Sequence, residues 1–352
     1  MKRCTKCLLP ETYANIEFDN NGICNVCRAK KVKIPYSEED FIHILNEQKE
    51  ISLKQGRKYD CIVPFSGGKD SVFTLYTMVN KYGMKPLVVT FNHLLFTDVI
   101  KRNQEKVLKK IGADVVEFKP DWKIVKRLML KSLGKSGDFC WHCHCGIYAY
   151  PMQVAVKYKI PLSIWGSTDY TMEKYMGLKK DLELFQKKVN LGIQPEDMID
   201  ENISIEDLQP FMPPDQKDLE AMEIVGINQA DYLGWNTRKQ VDLIKKELGW
   251  EESEVEGSFV KYDKIECKYV GVRDYLKFLK RDYGRTCQLA SVDIRDGLMS
   301  RDEGLKLMRK YDGKRPDSLI LFLDDIGLSE DKFMDIALKH KDSIAKDPTI
   351  IH

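Results

Sequence analysis

The chain has 352 residues, enough for roughly two domains. Apolar residues make up 43% and charged residues 31%, a balance that supports a packed core and excludes wholesale disorder. The 56 Lys and Arg against 54 Asp and Glu leave +2, which argues against a broad electrostatic nucleic-acid binder. No run approaches the ~18 apolar residues of a membrane span. After Met1-Lys2-Arg3, the place of a signal peptide's apolar stretch is taken by Cys4, Lys6, Cys7 and Glu11, so a cytoplasmic location is expected.

In chain order, the first feature is a thiol-rich head. Cys4, Cys7, Cys24 and Cys27 form C-x2-C, 16 residues, then C-x2-C. Each pair is a knuckle whose thiolates share one ion, and the loop between them closes a tetrahedral Zn²⁺ site. Four Cys ligands imply a closed, structural centre, with two disulfides as the competing account. A helix is expected over 36–55, with Ser37 and Asp40 as a cap. Short apolar runs then alternate with helical stretches: strands at 59–65, 86–91, 113–118 and 161–165, and helices at 71–82, 98–111 (ending at Gly112), 121–133 and 146–158. That alternation predicts an α/β fold whose parallel sheet carries helices on both faces. Beyond about 170 the alternation fades. Helices are expected around 176–190, 236–248, 271–283, 300–312 and 328–340. The implied organisation is a zinc-binding head (1–35), an ATP-binding α/β domain (36–170) and a mainly helical substrate or partner region (171–352).

The sharpest motif is Ser66-Gly67-Gly68-Lys69-Asp70-Ser71, between the first strand and the following helix. It is neither G-x-x-x-x-G-K-[ST] nor G-x-G-x-x-G. Its physics is nevertheless that of a phosphate cradle: two glycines let backbone N–H groups turn inward, and the helix adds its positive end. Ser66 and Ser71 offer hydroxyls, Lys69 a point charge, and Asp70 a carboxylate for Mg²⁺. A plain Gly-Gly turn with a helix cap is the bland alternative, and its place at the end of a parallel strand counts against that.

The motif resembles the S-G-G-x-D-S signature of PP-loop ATP pyrophosphatases, which cleave ATP between the α and β phosphates and adenylate a carbonyl-type oxygen. That resemblance puts the strand end with Thr90 and Phe91 near the adenosine, and Gly166 through Asp169 near the nucleotide or substrate. A wider set is similar to the N-acetyl sugar amidotransferases of bacterial surface-glycan synthesis. It comprises the thiol head, Val63 through Ser71, Phe91-Asn92-His93, Cys140-Trp141-His142-Cys143-His144, Ile164-Trp165-Gly166, Tyr269 through Leu276, and Asp293 through Gly297. The likeness runs in order along nearly the whole chain and departs at Cys145 and through 168–200.

The resemblance implies conversion of a sugar acetamido group to an acetamidino group with ATP, Mg²⁺ and ammonia, in lipopolysaccharide or related glycan biosynthesis. Lys69, Asp70, Ser71 and His93 would carry catalysis, with an ordinary helix-start residue as the other reading of His93. No G-x-C-x-G elbow is present and residue 2 is Lys, so a separate glutaminase and an ammonia-channelling partner are expected. Cys140 and Cys143, joined by distant Cys267, would give a second thiolate set, of the kind certain zinc-headed PP-loop tRNA thiolases use for an iron–sulfur cluster. The alternatives are a metal-free active-site role and simple packing. His142, His144, Asp169, Arg273 and Arg285 are candidate substrate contacts, the arginines as anion clamps or as ordinary surface residues. Two competing functions stand beside the amidotransferase: a PP-loop tRNA-modifying enzyme, disfavoured by the near-neutral charge, and a non-catalytic zinc-headed scaffold.

Overall fold

The computed structural model describes residues 1–29, 36–166 and 191–341. The chain forms two compact units, one within 33–125 and 141–253, the other within 1–32, 126–140 and 254–352. No helix among the described residues is long and apolar enough to cross a membrane.

The first unit is built on a five-stranded, wholly parallel sheet: β1 (Cys61–Pro64), β2 (Pro86–Phe91), β3 (Val115–Phe118), β4 (Leu162–Trp165) and β5 (Val225–Asn228). The strand order is β3-β2-β1-β4-β5. From β1 the chain steps outward through β2 to β3, then returns to place β4 and β5 on the other side. The carboxyl ends of β1 and β4 therefore flank the topological switch point, where open α/β sheets receive ligands. Burial follows position. All six residues of β2 are buried, whereas edge strand β3 alternates exposed and half-buried residues, as a sheet margin demands.

The helices of this unit follow their local signals. In α1 (Glu38–Lys54) the Ser37 hydroxyl accepts from the Asp40 N–H while Asp40 accepts from Ser37, a closed capping box. Helix α2 (Lys69–Tyr76) starts directly after the glycine pair. Instead of continuing to 82, it widens into a π turn over Thr77–Lys81, with the Thr77 hydroxyl donating to the Phe73 carbonyl at its start. Helix α3 (Asp98–Ile111) stops at Gly112, whose φ of 73° is left-handed. Helix α4 (Trp122–Ser136) follows β3, with residues 126–136 in the other unit, and α5 (Trp141–Tyr158) begins five residues earlier than the expected 146, so Trp141 to Cys145 lie at its start and Cys140 just before it. Helix α6 (Thr237–Leu248) packs against α2. Strand β5 has no counterpart in the sequence reading: it is four residues long, carries Gly226 at its centre and lies at the edge. The helix expected at 176–190 falls outside the described residues.

The second unit is helical: α7 (Val270–Arg281), α8 (Arg285–Arg295), α9 (Arg301–Tyr311), α10 (Ser318–Ile326) and α11 (Glu330–Lys339). Three of these match expectation; α8 and α10 do not. Helix α8 follows α7 across only three residues, which blurs the helical period. The sequence of α10, Ser-Leu-Ile-Leu-Phe-Leu-Asp-Asp-Ile, is too evenly apolar to show an amphipathic face. The thiol head belongs to this unit. Leu8 and Leu9 are buried, the Leu8 N–H donates to Ser291 Oγ, and Arg301 donates to the carbonyls of Cys7 and Cys4.

Candidate nucleotide site and thiol cluster

The turn at the switch point is internally braced. The Ser66 N–H donates to Ser71 Oγ (3.2 Å), the Gly68 N–H to Ser66 Oγ (3.2 Å), and the Ser71 hydroxyl to the Gly68 carbonyl (3.1 Å). Gly67 sits at φ +82°, in the left-handed region that glycine adopts without penalty. A Cβ on Gly67 would also lie 2.5 Å from Gln104 Cγ. Gly166, at the end of β4, is needed for a different reason: a Cβ there would fall 2.2 Å from Thr74 Oγ1 and 2.7 Å from the Asp70 carbonyl oxygen. Two adjacent strand ends thus meet the same helix start through glycines.

Lys69 is buried, with 8% of its surface exposed, and its ammonium lies 2.8 Å from Asp70 Oδ2. Asp70 Oδ1 is buried and has no hydrogen-bond partner among the described residues. An ionised carboxylate oxygen left so is costly, and it suits a hard cation that Mg²⁺-type sites hold through one carboxylate plus phosphate oxygens. The arrangement offers backbone donors, a helix N-terminus, an ammonium and a carboxylate oxygen within six consecutive residues. It can neutralise a polyphosphate and hold its metal.

Other expected contacts take more specific places. The Thr90 hydroxyl donates to the Phe65 carbonyl (2.9 Å), clipping β2 to the end of β1. The Phe91 ring is buried against Phe118 and Phe211, so this residue has only backbone to give a ligand. His93 is buried, its Nδ1 accepts from the Leu95 N–H (3.1 Å), and its ring lies 4.2 Å from that of Phe96. Burial, reinforced by the neighbouring His142 imidazole, brings His93 down to about 3. It is therefore a neutral imidazole whose proton sits on Nε2, and not a base poised near neutrality. His142 is buried and His144 half-buried on α5. Asp169 lies outside the described residues.

In the second unit, the Sγ atoms of Cys4, Cys7, Cys24 and Cys27 all lie within 4.8 Å of one another, and this is the one such group of three or more ligands among the described residues. Cys4 and Cys27 are 3.9 Å apart, Cys7 and Cys24 3.8 Å. Four sulfurs at ~2.3 Å from a tetrahedral zinc would be separated by about 3.8 Å, so the spacing fits that ion. The N–H groups of Cys7 and Cys24 point at Cys4 Sγ, and that of Cys27 at Cys24 Sγ. Burial raises the Cys4 thiol, but the N–H groups of Cys7, Cys24 and Lys6 outweigh it and bring Cys4 down to about 7. For Cys24, burial prevails and pushes it up to about 11.

Cys140 and Cys267 belong to this second unit and Cys143 to the first; burial pushes Cys267 up to about 11. Arg285 donates twice to Asp274, through Nε (2.6 Å) and Nη2 (2.9 Å), and through Nη1 to Asp263 (3.0 Å). Two carboxylates already answer the charge of this arginine, which was read as either an anion clamp or an ordinary surface residue. Arg273 Nε lies 3.4 Å from an Asp138 carboxylate oxygen. Sequence reasoning missed Gln104 and Trp250, which bond the phosphate turn from 38 and 183 residues away. It also missed Ser163 on β4, Asn228 on β5 and Gln229 just after it, whose buried side chains keep polar atoms without hydrogen-bond partners among the described residues. No local pattern announces any of them.

The sheet order, the braced glycine turn and the helical second unit define an α/β protein with a wholly parallel five-stranded sheet and a helical C-terminal portion. Residues 256–346 match the family model described as the C-terminal domain of LPS biosynthesis protein WbpG-like proteins, which supports the resemblance to N-acetyl sugar amidotransferases. A curated relative, an uncharacterized protein of Methanocaldococcus jannaschii, is 29% identical over 121 residues, 34% of this chain and 43% of that protein. The chain therefore spans less than half the length of that relative. Among solved structures, the U34-tRNA thiolase NcsA from Methanococcus maripaludis with its 4Fe-4S cluster is similar at 15% identity and a TM-score of 0.33, covering 88% of this chain and 89% of that one.

Proposed function

We propose that the protein is an ATP-dependent amidotransferase of surface-glycan biosynthesis that turns the acetamido group of an N-acetylated, nucleotide-linked sugar into an acetamidino group. The observation that carries this reading is the Ser66–Ser71 turn at the switch point, in a chain whose residues 256–346 match a lipopolysaccharide-biosynthesis family.

An amide carbon is a poor electrophile, so its oxygen must first become part of a leaving group. In the proposed reaction the acetamido oxygen attacks the α-phosphorus of ATP, and the bond to pyrophosphate breaks. Ammonia then adds to the imidate carbon. AMP departs with the former amide oxygen, and the amidine keeps the nitrogen as an amidinium. Catalysis of this kind rests on positioning and on answering phosphate charge. The backbone donors around Gly67 and Gly68, the Lys69 ammonium and the Ser71 hydroxyl would take the phosphate oxygens. Asp70 Oδ1 would hold Mg²⁺, which when bound neutralises phosphate charge. His93, held neutral, would donate through Nε2–H to the sugar or nucleotide. His142 and His144 are the proposed sugar contacts of the first unit; Arg273, in the second, is a proposed anion contact by its charge. The four-thiolate centre would hold zinc and brace the second unit. A separate glutaminase with an ammonia-conducting partner would supply the nitrogen, in the cytoplasm.

The test uses the full chain with ATP, Mg²⁺, ammonium and a panel of nucleotide-linked N-acetyl sugars carrying ¹⁸O in the acetamido group. The reading expects AMP and pyrophosphate, the label in AMP, and a sugar lighter by the difference between O and NH. ADP as the product, or AMP without label alongside a modified sugar, would overturn it.

A further inference from the structure

Gly67 has its carbonyl bonded from outside the turn. Trp250 Nε1–H donates to it at 3.0 Å, and the indole is 2% exposed. One residue earlier, Gln104 Nε2 donates to the Ser66 carbonyl at 2.9 Å. Two consecutive carbonyls of the phosphate turn are therefore bonded by side chains that reach in from α3 and from the end of α6. A peptide's N–H points opposite its C=O. Fixing these carbonyls outward thus fixes the N–H of Gly67 on the opposite side of the chain, and that of Gly68 where it donates to Ser66 Oγ (3.2 Å), a hydroxyl a phosphate oxygen can replace.

The clamp is itself clamped. Trp250 follows Gly249, the left-handed cap that ends α6, and precedes Glu251. The Asn103 side chain donates to the Glu251 carbonyl and accepts from its N–H, both at 2.8 Å. Arg102 and Lys106 pair with the Glu251 carboxylate, and Lys106 also donates to the Gly249 carbonyl. Asn103 is fully buried. Segment 249–251 is thereby tied to α3, the helix that supplies Gln104, and all of these residues lie in one unit.

We infer that Trp250 and Gln104 are positioning residues that hold the 66–71 turn in its phosphate-receiving conformation before a ligand arrives. This rests on the phosphate role proposed for that turn. Preorganised donors avoid the reorganisation that weakens binding of a developing or transferred charge.

Trp250→Phe and Gln104→Leu each remove the donor while keeping most of the side chain's bulk. In the full chain, two quantities are read for wild type and both variants: amide exchange at residues 66–69 without ligand, and affinity for inorganic pyrophosphate and for adenosine. Faster exchange and about tenfold weaker pyrophosphate binding, with adenosine unchanged, is the expected result in both variants. Unchanged exchange, or unchanged pyrophosphate affinity, overturns the assignment, as does an equal loss of adenosine, which would mean general collapse. Should Trp250→Phe fail to fold, Gln104→Leu decides by the same readings. A wild-type protein that ignores pyrophosphate removes the phosphate reading itself, and with it the purpose assigned to the two residues.

Discussion

Gly146 lies so close beneath the ring of Phe91 that a Cβ on it would sit 2.2 Å from Cζ and 2.4 Å from both Cε atoms. Helix α5 thus approaches the carboxyl end of β2 as closely as backbone allows.

The first prediction is an inversion of helix propensity. Gly→Ala inside a helix normally stabilises by up to ~1 kcal/mol. Here overpacking against a buried ring costs about 1–3 kcal/mol, and the ring has no room to retreat, being held by Phe118, Tyr150 and Phe211. Gly146→Ala is expected to lower the urea midpoint, and Phe91→Leu in the same chain to recover part of the loss by coupling. A stabilised Gly146→Ala would contradict the packing.

His93 gives a pH prediction. Its folded value is about 3, while an unfolded imidazole titrates near ~6.5. As pH falls from 6.5 towards 3, the unfolded chain takes up a proton that the folded chain refuses, so stability is lost across that window and is complete above it. His93→Gln should show a shallower loss between pH 7 and 5 in denaturant melts. Identical slopes for wild type and variant would contradict a neutral, buried His93. By the same sign, any limb of turnover near neutrality belongs to another group.

The thiol head predicts one zinc per chain in metal analysis of purified protein. Since the ion takes thiolates and Cys24 stands at about 11 without it, binding must expel protons, so affinity rises with pH and zinc is released on acidification. Cys24→Ser should lose the ion and destabilise the second unit, whose helices α8 and α9 bond the head through Ser291 and Arg301. A well-folded chain free of zinc would contradict the assignment.

Much of this was legible in the sequence, and the gaps have physical causes. Strands β1, β2 and β4 read clearly because central parallel strands are buried on both faces and become short, continuous apolar runs, and edge strand β3 read through its Val-Val-Glu-Phe run of β-formers. Strand β5 was invisible because Gly226 and Asn228 leave only Val225 and Ile227 as strand formers in its four residues. The phosphate turn was legible because its chemistry is contiguous. Trp250 and Gln104 were not, since their bonds to Gly67 and Ser66 exist only once α3 and α6 have packed. Arg285 was read from charge alone, and only folding brings Asp263 and Asp274 to it.

Asp70 offers a sharper functional test than any other single residue. Its Oδ1 is buried in the turn without a partner among the described residues, and removing the carboxylate charge also removes the ion pair with Lys69, 2.8 Å away. Asp70→Asn keeps the shape but not the charge. Turnover is expected to fall by at least about two orders of magnitude, as for loss of a charge-stabilising group in an active site, with the melting curve little changed. Full activity would show that the carboxylate holds neither metal nor phosphate geometry.

The most direct measurement is a crystal structure of the full chain with a non-hydrolysable ATP analogue and Mg²⁺. The account predicts the triphosphate against the N–H groups of residues 67–69, with the metal on Asp70 and the Trp250–Gly67 bond intact. A triphosphate bound elsewhere, with the 66–71 turn empty, would contradict it.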